Sequence, residues 1–167
     1  ETQIRQTYDR GDGAVILRYR KQILPNYGVF DEKRHFLRGR ETGIFDFKGI
    51  RLGLCICEDV WGAAPARAAR DAGAQLLINI NASPFNLGKP AERVRVLDQR
   101  VAETGLPVLY VNLVGGQDDL VFDGGSLALN GDGAIGFRAP MFEEGVHPVI
   151  FDGVRLSGTR HVTESDE

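Results

Sequence analysis

Three short apolar runs, separated by two helix-forming segments, restrict what this chain can fold into more than any other feature. Leu52-Gly53-Leu54-Cys55-Ile56, Ala74-Gln75-Leu76-Leu77-Ile78-Asn79-Ile80-Asn81 and Pro107-Val108-Leu109-Tyr110-Val111-Asn112-Leu113-Val114 are apolar along most of their length. Strands that face water on one side alternate polar and apolar residues, whereas strands apolar throughout are covered on both faces. Between the first two runs lies Pro65 to Ala72, rich in alanine and closed by Gly73. Between the second and third lies Lys89 to Thr104, with Val94, Leu97 and Val101 spaced by three and four and Gly105 as the stop. Strand, helix, strand, helix, strand predicts an α/β fold, a sheet covered by helices.

The flanking segments add smaller elements. Ala14 to Tyr19 is a predicted strand, entered from the turn formers Gly11-Asp12-Gly13, and it delivers Arg20-Lys21 to its end. Leu24 to Lys33 contains Pro, Asn and Gly among aromatics and charges, the composition of an ordered loop that lines a site. Gly43 to Phe47 and Ile50 to Ile56 flank Lys48-Gly49, the spacing of a tight hairpin. After Gly115-Gly116, the short runs Leu120 to Phe122, Ser126 to Leu129 and Ala134 to Phe137 are punctuated by glycine turns, Asn130-Gly131-Asp132-Gly133 being the strongest hairpin signal. The chain divides into one domain over 1–156 and a polar tail over 157–167 that is expected to fray.

Composition excludes several functions. At 167 residues with 43% hydrophobic content, the chain suits a single domain with a substantial core. A net charge of −3 leaves no basic footprint for nucleic acid. No apolar run approaches the roughly 20 residues of a membrane span, and no signal-peptide core is present, so a cytoplasmic location and no membrane partner are expected. The only cysteines, Cys55 and Cys57, are two residues apart at the end of one apolar run and tie no distant segments together, so no disulfide framework is expected. The chain opens on Glu1, not Met, and reads as an interior portion of a longer sequence.

Chemistry concentrates at the end of the first apolar run, Cys57-Glu58-Asp59-Val60-Trp61. A cysteine where a strand hands over to a helix faces a cleft beside backbone N–H groups with no helical partner. That geometry suits a nucleophile with an oxyanion site. The alternative is a small buried hydrophobe, which is the reading for Cys55; for Cys57, composition leaves the two level. Lys21 ends another predicted strand and Ser83 follows a third, and loops at one edge of a covered sheet converge on a common crevice. An ammonium beside a thiol lowers its pKa and can hold the oxyanion of a tetrahedral intermediate, together with the Glu58 N–H. Cys57 and Lys21 could thus support acyl transfer through a thioester. His35, His147 and His161 lie in polar or loop contexts and are read as surface residues. No zinc-ligand spacing, dinucleotide fingerprint or P-loop is present, so no metal site is expected.

The motifs together resemble a known family. Arg20-Lys21-Gln22 ahead of Leu24-Pro25-Asn26-Tyr27-Gly28-Val29-Phe30-Asp31-Glu32-Lys33-Arg34 is similar to the lysine motif of the nitrilase (carbon-nitrogen hydrolase) superfamily, and within it to the glutamine-amidase domain of the glutamine-dependent NAD+ synthetases. Cys57-Glu58-Asp59-Val60-Trp61 resembles the nucleophile motif. Asn81-Ala82-Ser83-Pro84-Phe85 with Gly88-Lys89 and Arg93 resembles a third signature, and Gly115-Gly116-Gln117-Asp118-Asp119 leading to Val121-Phe122-Asp123-Gly124-Gly125-Ser126 a fourth. The resemblance implies part of a four-layer α-β-β-α sandwich and a Glu-Lys-Cys triad. Cys57 would attack the side-chain amide of L-glutamine and Lys21 would hold the intermediate, with Tyr27, Glu58, Ser83 and Arg93 in the substrate pocket. Read without the resemblance, Tyr27 is loop packing, Ser83 a turn hydroxyl and Arg93 a solvated helix face.

The ammonia released would pass to a synthetase domain that makes NAD+ from deamido-NAD+. The amide step needs no cofactor; ATP and Mg belong to the synthetase domain, which this sequence lacks. The triad glutamate lies upstream of the lysine in the family, and the sequence starts too late to include it; Glu32 is near Lys21 but not at that position. By analogy a homo-oligomer is expected. The rival readings are a nitrilase-type amidase acting on another small amide, and a catalytically silent remnant serving as a binding or assembly module.

Overall fold

The computed structural model describes the backbone of residues 5–9 and residues 14–158 in full. β1 (Arg5–Asp9) and β2 (Val15–Arg20) form an antiparallel pair that ends immediately before Lys21. The predicted loop that follows carries one helical turn, α1 (Glu32–His35). β3 (Gly43–Phe47) and β4 (Ile50–Ile56) make the expected hairpin, with Lys48 at φ 49° and Gly49 at φ 83°. Two successive left-handed residues match the right-handed twist of the flanking strands. β4 runs into a 3-10 turn at Cys57–Val60 and then α2 (Ala63–Asp71). α2 begins two residues ahead of the predicted Pro65, because a proline in the first helical turn gives up no hydrogen bond.

β5 (Leu76–Asn81), α3 (Lys89–Thr104) and β6 (Val108–Asn112) follow. α3 has the predicted bounds, capped by Gly105 at φ 71°. The third apolar run is divided. β6 ends at Asn112, and Val114 opens β7 (Val114–Gln117), which pairs with β8 (Leu120–Asp123) as a separate two-stranded ribbon. β9 (Leu127–Leu129) and β10 (Ile135–Arg138) are the second predicted hairpin. β11 (Val149–Phe151) and β12 (Leu156–Gly158) pair with each other, so Ser157 and Gly158 are strand residues.

The central sheet has six strands in the order β10-β9-β6-β5-β4-β3. β4, β5 and β6 are parallel and the outer pairings are antiparallel. One face buries Cys55, Leu77, Val108, Tyr110, Leu127 and Leu129 under Ala66 and Ala69 of α2 and Leu97 and Val101 of α3. The other face carries Leu52, Leu76 and Ala128, with Leu156, Val149 and Phe151 of the β11–β12 hairpin packed against it. Helices thus cover one side of the sheet and a β-hairpin meets the other.

The buried stripe of α3 departs from the predicted one. Leu97 and Val101 are buried, but Val94 is half-buried, while Arg93 and Arg100 take buried positions at 2% and 3% exposure. Both guanidinium groups have internal acceptors, which is the condition for burying a charge. Arg100 donates to the Trp61 carbonyl (3.2 Å) and to Glu103 (2.8 Å).

Candidate active site

The parallel strands place three chain segments side by side. Ile56 pairs with Ile80, and Asn81 with Asn112, so Cys57, Ala82-Ser83 and Leu113 all emerge at the carboxyl edge of the sheet. Ligands of open α/β sheets bind outside that edge. Cys57 sits there at φ 46°, a left-handed conformation that costs a non-glycine residue about 1–3 kcal/mol and persists only where its surroundings impose it. They do impose it: the chain must leave a buried strand and enter a 3-10 turn within one residue. The Asn79 side chain supports this elbow, lying 3.4 Å from the Cys57 carbonyl oxygen and donating at 3.0 Å to Asn81. The Ala82 backbone N–H donates to the half-buried Cys57 sulfur.

Lys21 arrives from outside the central sheet. It is 2% exposed, and its Nζ donates to both oxygens of Glu32 at 2.6 and 2.7 Å. Its carbonyl accepts from Gly39 N–H at 2.7 Å. The structure brings the Lys21 ammonium within electrostatic reach of the Cys57 thiol, where it acts to lower the thiol pKa. The net shift is nevertheless upward, which corrects the expectation of a lowered value. Burial, the largest cause, penalises the thiolate, and the Glu58 and Glu32 carboxylates add to it. Burial thus favours the neutral thiol over the thiolate.

Tyr27 and Glu58 meet across the opening. The Tyr27 hydroxyl donates to Glu58 Oε1 at 2.7 Å, and the phenol is pushed well above its ordinary value by burial and that carboxylate. Tyr27 remains 56% exposed, its ring edge-on to Phe30. Ser83 and Arg93 lie deeper. Arg93 forms a buried bidentate pair with Asp123 at 2.7 and 2.8 Å, and it also donates to the Ser83 carbonyl at 2.8 Å. Ser83 N–H donates to Asn112 Oδ1 at 2.9 Å. The buried Tyr110 hydroxyl faces Ser83 without a hydrogen bond of good geometry.

Glu32, noted from sequence as near Lys21 but not at the triad position, is the direct partner of the Lys21 ammonium. Two contributors were not singled out from sequence: Asp123 neutralises Arg93, and Asp59 is wholly buried as a hydrogen-bond acceptor behind the elbow. Asp123 stands in the fourth motif and Asp59 in the second, but nothing local says which cation or amide each would face. Among the described histidines, His35 is exposed against Phe36 and His147 packs on Phe137. His161 lies outside the described residues. Among the described residues no group of three or more His, Cys, Asp or Glu is placed to hold a metal, and no helix is long and apolar enough to cross a membrane.

Comparison with known proteins identifies the family. The carbon-nitrogen hydrolase family profile matches residues 6–162. The glutamine-dependent NAD(+) synthetase of Acinetobacter baylyi is 41% identical over 141 residues, covering 84% of this chain and 26% of its own. That of Rhodobacter capsulatus is 47% identical over 135 residues, covering 81% and 24%. The chain thus spans about a quarter of the length of these curated relatives. Among solved structures, the glutamine-dependent NAD+ synthetase of Acinetobacter baumannii with ADP superposes with a TM-score of 0.84 at 37% identity, over 91% of this chain and 29% of that one. A nitrilase-superfamily amidase from Nesterenkonia AN1 gives 0.66 at 31% identity, over 77% and 47%. With a cysteine elbow, a buried lysine and a family match along nearly the whole chain, this protein belongs to the carbon-nitrogen hydrolase family.

Proposed function

We propose that this chain forms part of a glutamine amidase site in which Cys57 is the nucleophile and Lys21 the oxyanion-binding cation. The observation that carries the reading is the placement of a buried, Glu32-held ammonium beside a thiol on a left-handed elbow at the sheet's carboxyl edge. In the proposed reaction the Cys57 sulfur bonds to the amide carbon. The oxygen becomes an oxyanion held by Lys21 and the Glu58 N–H, and one such donor is worth about 10²–10³ in rate. The C–N bond then breaks, ammonia leaves with the thiol proton, and water hydrolyses the thioester to the free acid. Nucleophile, cation and oxyanion donors are all protein groups, so this step calls for no cofactor.

Glu58 favours an amino-acid amide over a simple one, because a carboxylate beside the nucleophile complements the α-ammonium of L-glutamine. Tyr27 fixes that carboxylate through its hydrogen bond. Ser83 forms the pocket wall; Arg93 acts through the Ser83-Pro84 backbone that it holds, its own charge being balanced by Asp123. Both oxygens of Glu32 are engaged by Lys21, so the proton acceptor for the thiol is assigned, by the resemblance, to a glutamate upstream of Lys21. Ammonia passes to a synthetase domain that converts deamido-NAD+ to NAD+, with ATP and Mg used there.

Labelling with a diazoketone analogue of glutamine tests this reading without requiring turnover. Mass spectrometry is expected to locate the adduct on Cys57 and not Cys55, with L-glutamine protecting better than a panel of aliphatic amides. Equal protection across the panel would replace glutamine with another small amide as substrate. Absence of the Cys57 adduct would leave the chain a binding module.

A further inference from the structure

Lys21 and Cys57 reach the site on segments that share no sheet. β2 pairs with β1, whereas Cys57 follows β4 of the central sheet. Within its own segment Lys21 is held twice, at its ammonium by Glu32 and at its carbonyl by Gly39. Neither contact reaches the strand that carries the nucleophile.

Asp59 does reach both. It is 0% exposed, and each carboxylate oxygen accepts two hydrogen bonds. Oδ1 accepts from the N–H of Gln22 at 2.9 Å and of Ile23 at 2.7 Å. Oδ2 accepts from the Tyr19 hydroxyl at 2.8 Å and from the Ile56 N–H at 3.0 Å. Three of these donors bracket Lys21 in sequence, and the fourth immediately precedes Cys57. A carboxylate is the only side chain of this size that accepts at both ends, so its identity is tied to joining the two segments. The Tyr27–Glu58 hydrogen bond is a second link, but it lies at the exposed mouth of the site.

We infer that Asp59 is the positioning residue that sets the Lys21 ammonium against the Cys57 sulfur, acting through the backbone of Gln22, Ile23 and Ile56. The inference rests on the reading of Cys57 as nucleophile. Among the described residues, the titratable groups facing the Cys57 thiol are Lys21, Glu32 from α1, Glu58 from its own turn, Tyr27 from the loop and Tyr110 from β6. Those facing Asp59 are Tyr19 from β2 and Cys55 from β4. Lys21 is the one cation in the first set, so its displacement has a single sign: the thiolate loses its stabilising charge.

The test is a cycle of iodoacetamide alkylation rates at Cys57, read by mass spectrometry on the full chain near pH 8, for wild type, Lys21→Met, Asp59→Asn and the double variant. Lys21→Met is expected to slow alkylation about tenfold, since a neighbouring opposite charge shifts a titrating group by about one unit or more. Asp59→Asn is expected to slow it severalfold, and adding it to Lys21→Met is expected to change the rate by less than about twofold, because the two act on the same charge. Tyr19→Phe removes one donor of four, covers the case in which Asp59→Asn does not fold, and is expected to give a smaller slowing masked in the same way. A part in stability alone would lower Tm and leave the Cys57 rate, and the effect of Lys21→Met on it, unchanged; that result, a faster rate, or effects that multiply, overturns the inference. Alkylation needs no glutamine, so failure of the glutamine analogue to label Cys57 would sink the proposed function separately from this coupling.

Discussion

Arg93→Met isolates the buried charge pair behind the Ser83 loop. Arg93 and Asp123 are 2% and 0% exposed at the side chain and share two hydrogen bonds of 2.7 and 2.8 Å. Methionine fills much of the same volume but leaves Asp123 charged in a dry site and removes the donor from the Ser83 carbonyl. Breaking a buried pair by removing one partner costs about 3–5 kcal/mol. A domain of this kind has about 5–15 kcal/mol in total, so the loss is a large fraction of it. With a urea slope of about 2 kcal/mol per molar, the unfolding midpoint is expected to fall by about 1.5–2.5 M, followed by Trp61 fluorescence and far-UV circular dichroism. Adding Asp123→Leu removes the stranded charge and is expected to recover at least half of the loss, since apolar replacement of a whole pair is often neutral. A single-variant cost below about 1 kcal/mol, or a double variant no more stable than the single, would refute the argument that charge burial dominates there.

Three further outcomes are expected. The Cys55 and Cys57 thiols are both pushed up by burial, so above the ordinary thiol value the folded chain keeps protons that the unfolded chain loses. Stability therefore falls as pH rises from there, and a Tm no lower at pH ~10 than at pH ~8 would contradict the assigned burial. A β-carbon on Gly39 would run into the Arg20 carbonyl, so Gly39→Ala is expected to cost about 1–3 kcal/mol and several degrees of Tm by scanning fluorimetry. Tyr27→Phe removes a neutral-to-charged hydrogen bond at a half-exposed position. It is expected to weaken glutamine protection of Cys57 about 2–10-fold while leaving Tm within about one degree.

Much of the scaffold was legible in the sequence because it is set locally. The bounds of α3 follow from its apolar spacing and from Gly105, whose left-handed φ stops the helix wherever it packs. The Lys48-Gly49 turn fixes the β3–β4 register through two residues. Other elements gave too little local signal. β1 is a polar stretch that becomes a strand by pairing with β2, and β11 and β12 are three residues each, held by one another and by the sheet face beneath. The third apolar run looked continuous because hydrophobicity does not record where a strand changes partners.

The same division runs through the candidate site. Residue type and position along the strands placed Cys57 at a strand-to-helix elbow and Lys21 at a strand end, and both statements depend on a few neighbouring residues. The pairing of Lys21 with Glu32, of Arg93 with Asp123 and of Asp59 with three backbone amides depends on which segments the fold packs together. Even the sign of the Cys57 pKa shift was decided there: an adjacent ammonium argues downward from sequence, but the depth of burial is a property of the whole sheet, and desolvation prevailed. Backbone geometry is local and can be read along the chain, whereas electrostatics at a buried group sums over everything the fold brings near it.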